Sequence, residues 1–249
     1  MNKEEAKIPK IIHYIWLGPR PLDKVSIKCM KTWEKFLSGY EIRKWGDQEC
    51  YEIIAANKYA LQAYEAKKFA FVSDYLRVYI LYNYGGIYMD TDVQIFKSID
   101  KFLIHGAFTC FENKENIPTA LMASKKGNLW VKRLLDYYDN KEFIDELGKM
   151  DLTTNVESIT ALSLKMGFVP NGEKQVFSDD VHIYTKDYFC PIDTKNRAND
   201  VFTENTYAAH LYNGSWRSPL RQKLSRVKKY LGINISVLPK FIIRMLEKI

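Results

Sequence analysis

The stretch Phe69–Asp92, FAFVSDYLRVYILYNYGGIYMDTD, constrains this chain more than any other. An aromatic-rich run of helical character reaches Tyr84, Gly85-Gly86 stops it, and a short apolar strand leads into Asp90-Thr91-Asp92. Side chains at i and i+2 of an extended segment point the same way. Asp90 and Asp92 are therefore expected side by side at the carboxyl end of a strand, where open α/β sheets bind ligands. Such a pair suits a hard cation, Mg²⁺ or Mn²⁺, completed by water and phosphate oxygens. Alone the spacing is weak, because short motifs recur by chance and two solvated acids in a turn are the ordinary outcome. Its position after an apolar strand, rather than in a polar loop, raises its significance.

The flanking sequence supplies the rest of an α/β pattern. Ile8–Gly18 reads as a buried strand running into a loop, Val25–Leu37 as a helix with Ile27, Met30, Trp33, Phe36 and Leu37 at helical spacing, and Tyr40–Trp45 as a strand. This opening predicts a βαβ unit with parallel strands. Helices are expected from Asp47 to about Ala55, over Lys58–Ala66, Asn128–Tyr138, Lys141–Leu147 and Val156–Met166. Further strands are expected over Val93–Phe96, Gly106–Phe111, Thr119–Ala123, Gln175–Phe177, Val181–Tyr184 and Tyr207–Tyr212.

Three groups beyond the acids are candidates for chemistry. Asp74 and Arg77 stand at i and i+3 of the strongest helix; the plain reading is a surface ion pair worth a few tenths of a kcal/mol. The functional reading brings their stripe to the acid-bearing strand, with Asp74 accepting from hydroxyls and Arg77 donating to sugar or phosphate. Trp16, at the end of the first strand, is either core or a platform for a nucleobase. His210, at a strand end before Asn213-Gly214, is either structural or a ligand for Mn²⁺ and donor to phosphate. His13, His105 and His182 are assigned to structure.

Composition sets bounds. The chain has 249 residues, 47% hydrophobic and 27% charged, as expected of a soluble globular protein. No apolar run reaches the ~18–20 residues of a bilayer span, and the start MNKEEAKIPK has no apolar signal region. Four scattered cysteines predict reduced, packed thiols and a cytoplasmic setting. The net charge of +7 belongs to the end of the chain, where Arg217–Ile249 holds nine Lys or Arg and one acid. That argues against a protein basic all over for nucleic acid. Residues 217–249 alternate basic clusters with apolar positions, as a basic amphipathic helical tail on an anionic membrane does, or as a packed helical pair does.

In this order, Ile8–Gly18, Ser73-Asp74-Tyr75-Leu76-Arg77, Gly85–Asp92 and, more loosely, His210 with Gly214-Ser215-Trp216 resemble the family 32 glycosyltransferases. These are the DXD sugar-binding enzymes, whose relatives include fungal initiating mannosyltransferases, bacterial capsular polysaccharide transferases and clostridial glucosylating toxins. The resemblance covers residues 8–216. It implies a GT-A type Rossmann-like sheet flanked by helices as one domain over 1–216, with a helical C-terminal extension. It also implies a metal-dependent hexosyltransferase that retains anomeric configuration. Trp16 matches the base-stacking tryptophan, Asp74 and Arg77 the sugar- and ribose-contacting pair, and Asp90 and Asp92 the metal and diphosphate motif. His210 matches a further metal or phosphate group, and Ser215 and Trp216 a segment closing over the diphosphate. Implied partners are a nucleotide-sugar donor, UDP-linked by preference, and a glycan or lipid-linked acceptor. Capsular or surface polysaccharide synthesis is the expected setting, peripheral on the inner membrane face. The chain departs from the family at Thr153-Thr154-Asn155-Val156-Glu157, where many members carry Gly-Pro. Rival readings are a toxin-like protein glycosyltransferase, a nucleotide-sugar pyrophosphorylase or hydrolase, and a basic nucleic-acid-binding module.

Overall fold

The computed structural model describes residues 7–214. Ser215, Trp216 and the basic tail 217–249 lie outside the described residues. Parallel pairing starts at the amino end: β1 (Ile11–Ile15) lies between β2 (Glu41–Trp45) and β3 (Gly86–Met89), parallel to both. The crossover between β1 and β2 is α1 (Lys24–Phe36); the one between β2 and β3 contains α2 (Asp47–Ala55), α3 (Lys58–Glu65) and α4 (Phe69–Tyr84). β4 (Val93–Ile95) leaves this sheet, and β5 (Ala107–Cys110) and β6 (Leu121–Ser124) return to it. After α5 (Leu129–Asp136) and α6 (Asn155–Leu164) come β7 (Gln175–Phe177), β8 (Val181–Tyr184) and β9 (Ala208–His210). The main sheet has the order β2-β1-β3-β6-β5-β8-β7, and β4 pairs with β9 in a separate two-stranded ribbon.

Only β6 and β7 run against the others, because β3–β6, β6–β5 and β8–β7 are antiparallel while β5–β8 is parallel. The expected α/β class, a Rossmann-like sheet flanked by helices, is the one observed. The compact unit that carries these elements extends to Leu211.

Local chemistry explains the element ends. Asp23 caps α1 by accepting from the amides of Val25 and Ser26, and Asn57 caps α3 through Ala60. α4 runs straight from its apolar sequence: Val72, Tyr75, Leu76, Val78, Ile80 and Leu81 are all buried, so the helix is enclosed on most sides. Gly85 and Gly86 then turn the chain at φ 68° and 98°. A Cβ on Gly86 would lie 2.6 Å from the Ile11 carbonyl oxygen, so close pairing of β3 with β1 requires glycine there. The four cysteines are buried free thiols, and burial pushes Cys29 and Cys50 up to about 12, which makes them inert.

Two expectations fail. Residues Lys141–Leu147 form no helix. Asp145 instead accepts from the amides of Leu147 and Lys149, Gly148 takes φ 76°, and Ile144 bridges Met150. Gln62 of α3 draws the amides of Phe143 and Ile144 outward, so turn chemistry and a distant acceptor override the helical spacing. In α1 the buried residues are Ser26, Cys29 and Trp33, while Ile27 is exposed. The helix is rotated because that face docks on the loop and strand after the acids. Trp33 donates to the Val93 carbonyl, the Thr32 hydroxyl accepts from the Ile95 amide, and Ser26 bonds Thr91.

Candidate active site

Asp90 is the residue after β3, and its amide donates to the Ala120 carbonyl at 2.8 Å. The Val93 amide returns to the Asp90 carbonyl at 3.0 Å, which closes the Asp90-Thr91-Asp92 segment into a tight turn. Thr91 points into the protein and meets Ser26 at 2.9 Å in buried surroundings. With its middle residue pinned, the turn directs the two acids together.

β9 brings the third member. Its last residue, His210, registers with Val93 across the β4–β9 ribbon, and the Leu211 amide donates to the Asp92 carbonyl. His210 Nε2 lies 3.3 Å from Asp92 Oδ1 and 4.0 Å from Asp90 Oδ2. One ligand atom from each of Asp90, Asp92 and His210 falls within 4.8 Å of the others. Burial opposes charge on His210, but the bond to Asp92 and the fields of Asp92, Asp90 and Glu112 prevail and raise it above its usual range. Two carboxylates and an imidazole form a donor set that fits a divalent cation such as Mn²⁺.

Beside them lies a buried network centred on Arg77, which is 5% exposed. Its Nε–H donates to the Ser73 carbonyl at 3.2 Å. One terminal nitrogen donates to the Thr119 carbonyl at 2.7 Å and reaches Asp90 at 3.5 Å, and the other donates to Asp74 at 2.9 Å. The guanidinium lies over the Tyr88 ring, 4.6 Å from its centroid, and the Tyr88 hydroxyl donates to Asp90 at 2.7 Å. This is no surface ion pair. Arg77 spends four of its five N–H groups on the protein, so it orients Asp74 and Asp90. Burial and the charge of Asp90 push the Asp74 carboxyl up to about 6, against the pull of Arg77 and of a hydrogen bond from Asn155.

The sequence reading missed Asn155. It opens α6 and donates to Asp74 at 3.2 Å. The signal was present: Thr154 accepts from the Glu157 amide and Glu157 from the Thr154 amide, a capping box spelled T-x-x-E that starts the helix at Asn155. Tyr88 was read only as strand.

The candidates are not all joined. Asp74, Arg77, Asp90, Asp92 and His210 form one connected group. Trp16 follows β1 and is half-buried; its indole donates to the Arg20 carbonyl and its amide to the Trp45 carbonyl, not to the acids. His13 is structural: it accepts from the Trp45 indole at Nδ1 and donates from Nε2 to the Gly85 carbonyl, and burial lowers its pKa to about 4.

A helix-flanked α/β sheet presents paired acids and an imidazole at the carboxyl end of a strand, and together with its likeness to known glycosyltransferases this makes the protein a glycosyltransferase. Residues 23–109 match the family described as the glycosyltransferase sugar-binding region containing the DXD motif, a stretch that takes in Asp74, Arg77, Asp90 and Asp92. The chain is 27% identical over 235 residues to an uncharacterized glycosyltransferase of Acanthamoeba polyphaga mimivirus, covering 90% of each. It is 30% identical over 136 residues to inositol phosphoceramide mannosyltransferase 3 of Schizosaccharomyces pombe, covering 54% of this chain and 38% of that one. The solved PaToxG glycosyltransferase superposes with a TM-score of 0.46 at 19% identity, over 64% of this chain and 69% of that one.

Proposed function

We propose that the protein transfers a hexose from a nucleotide-diphosphate sugar to a glycan or lipid-linked acceptor, with a divalent cation. The observation that carries this reading is the convergence of Asp90, Asp92 and His210 within 4.8 Å, beside the Asp74–Arg77 network. Asp90, Asp92 and His210 would hold Mn²⁺ or Mg²⁺, which when bound neutralises charge gathering on the departing diphosphate. Arg77 holds Asp74 and Asp90 in place and adds positive potential. Asp74, kept between Arg77 and Asn155, accepts from donor hydroxyls and so orients the sugar. Trp16 stacks on the base.

Transfer with retention then proceeds by same-face attack. The bond from the anomeric carbon to the phosphate oxygen breaks as the acceptor oxygen bonds that carbon, and the leaving phosphate takes the acceptor's proton. In support, the three aspartates of the group are each engaged: Asp74 has Arg77 and Asn155, Asp90 has Tyr88 and Arg77, and Asp92 has His210. A trapped covalent glycosyl–enzyme adduct would overturn this step.

The S. pombe relative's name specifies inositol phosphoceramide and a mannosyl group, which favours the lipid-linked branch of the proposal over a free glycan. That match spans little more than a third of the fungal protein. Surface polysaccharide synthesis and attachment of the basic tail 217–249 to an anionic membrane belong to the same proposal. The test is a panel of UDP- and GDP-sugars with Mn²⁺, read by thermal stabilisation and slow hydrolysis. UDP-sugars are expected to act. Activity with GDP-mannose alone would reassign the donor, and no response in either series would end the proposal.

A further inference from the structure

Building on the role proposed for Trp16 under the base, we infer that Asp47 is a positioning residue for the donor. It locks the loop Trp16–Arg20, and with it the indole, to the helix that carries Asp74 and Arg77. Trp16 makes no bond to the acids, so its place relative to them has to be set through other residues.

The lock begins where two parallel strands end. β1 and β2 pair as far as Ile15 and Trp45, and the Trp16 amide still donates to the Trp45 carbonyl at 3.0 Å. In a parallel ladder the next amide along β1, two residues on at Gly18, would take the carbonyl of residue 47. Asp47 opens α2, so its carbonyl turns along the helix instead. The side chain takes over: Asp47 Oδ2 accepts from the Gly18 amide at 2.9 Å. A carboxylate thus carries the pairing one step past the sheet. Within the loop, the Trp16 indole donates to the Arg20 carbonyl at 2.6 Å, which ties the ring to the segment that Asp47 holds.

The other carboxylate oxygen faces the helices. Asp47 Oδ1 accepts from the Tyr64 hydroxyl at 2.7 Å, and the Tyr64 ring stands edge-on to Phe69 with centroids 5.7 Å apart. Phe69 closes the circuit on Gly18. A Cβ on Gly18 would lie 2.7 Å from the Phe69 ring, and Gly18 takes φ 81°, so loop and ring approach this closely only with glycine there. Phe69 is also the first residue of α4. Its carbonyl accepts from the Ser73 hydroxyl at 2.9 Å, and the Ser73 carbonyl accepts from Arg77. The indole-bearing loop and the helix of Asp74 and Arg77 therefore meet at one ring, and Asp47 holds both sides of that contact. Gly18, Asp47, Tyr64 and Phe69 border an open cleft of about 500 Å³, which leaves room for a ligand beside the lock. Each Asp47 oxygen already serves a protein donor, which suits a part played through the loop.

The test is calorimetric binding of UDP and of GDP, with Mn²⁺, to full-length protein, alongside the kinetics of slow donor hydrolysis. Asp47→Ala should weaken the nucleotide by about tenfold, no more than Trp16→Ala does, because a loosened loop loses at most the stack. The loss should fall on the donor KM, with kcat kept within about twofold. Asp47→Asn should stay within about threefold of wild type, since an amide can accept from Gly18 and donate to the Tyr64 oxygen. In a Trp16→Ala background, Asp47→Ala should cost less than about twofold, because the two residues act as one unit. Wild-type affinity in Asp47→Ala, with Trp16→Ala weakened, overturns the lock and leaves the base platform standing. Equal losses from Asp47→Ala with and without the indole also overturn it. Wild-type affinity in Trp16→Ala, or no binding of either nucleotide, removes the platform and the lock together. Should Asp47→Ala fail to fold, Tyr64→Phe decides: about threefold weaker binding is expected from the loss of one hydrogen bond, and wild-type affinity overturns the lock.

Discussion

The two carboxylate–imidazole clusters use the same residue types at opposite ends of one sheet, yet their surroundings differ in kind. Asp90, Asp92 and His210 lie in a pinned turn, backed by a buried guanidinium and a phenol. His105, Asp180 and His182 lie at half-buried strand starts, where the exposed Lys7 is the one lysine bonded to the acid among the described residues. The first is rich in oxygen donors and surrounded by groups that resist movement. The second is rich in nitrogen; the Tyr184 hydroxyl meets His105 at 2.8 Å, and its acid is tied to an exposed lysine rather than to a buried guanidinium. The packing behind each cluster sets whether it is rigid enough for chemistry.

The sharpest way to break this comparison is Asp92→Ala. It should reduce transfer by at least about 10³-fold, roughly 4 kcal/mol of barrier, with the circular dichroism of the fold unchanged. Turnover near wild type would remove the cation from the mechanism. Next is Arg77→Met. Removing a buried cation strands Asp74 and Asp90, so unfolding in urea should report a loss of about 3–5 kcal/mol. A loss under 1 kcal/mol would return Arg77 to the class of surface pairs.

Trp16→Ala should raise the donor KM by about tenfold or more with kcat nearly kept, since stacking on a base contributes ~1–3 kcal/mol. Equal losses in KM and kcat would mark Trp16 as core. Acidity comes next. His210 has a raised pKa, so in metal-free protein its pairing with Asp92 stabilises fully below pH 6.5 and is lost as pH rises through the raised value. Cation binding runs the other way, because a ligating imidazole must be neutral. Mn²⁺ affinity should therefore rise with pH across that window, by up to about tenfold per unit, and flatten in His210→Asn. The smallest effect is expected at the far cluster: His182→Gln should leave transfer rates within about twofold. A large loss there would erase the contrast between the two ends.

Much of this was legible in the sequence. The course of α4 into β3 was readable because helical apolar spacing and a glycine pair are local signals, and they agree with the packing. The i, i+2 spacing of Asp90 and Asp92 was readable for the same reason. The burial of Arg77 was not. A polar stripe on a helix looks the same whether it faces water or α6, and Asn155 arrives from 81 residues away. The turn at 141–150 was misread because its spacing is helical while its acceptors are Asp145 and the distant Gln62.

Taken by itself, the amino-acid sequence determined the local elements: where helices and strands start and stop, and that two acids share one side of a strand end. Tertiary structure decided which groups those acids would meet. His210 reaches them through the β4–β9 ribbon, and His105 meets His182 through the β5–β8 pairing. The physical reason is range. Backbone sterics and side-chain periodicity act over a few residues, whereas partners far along the chain are chosen by which surfaces the whole fold can bury together.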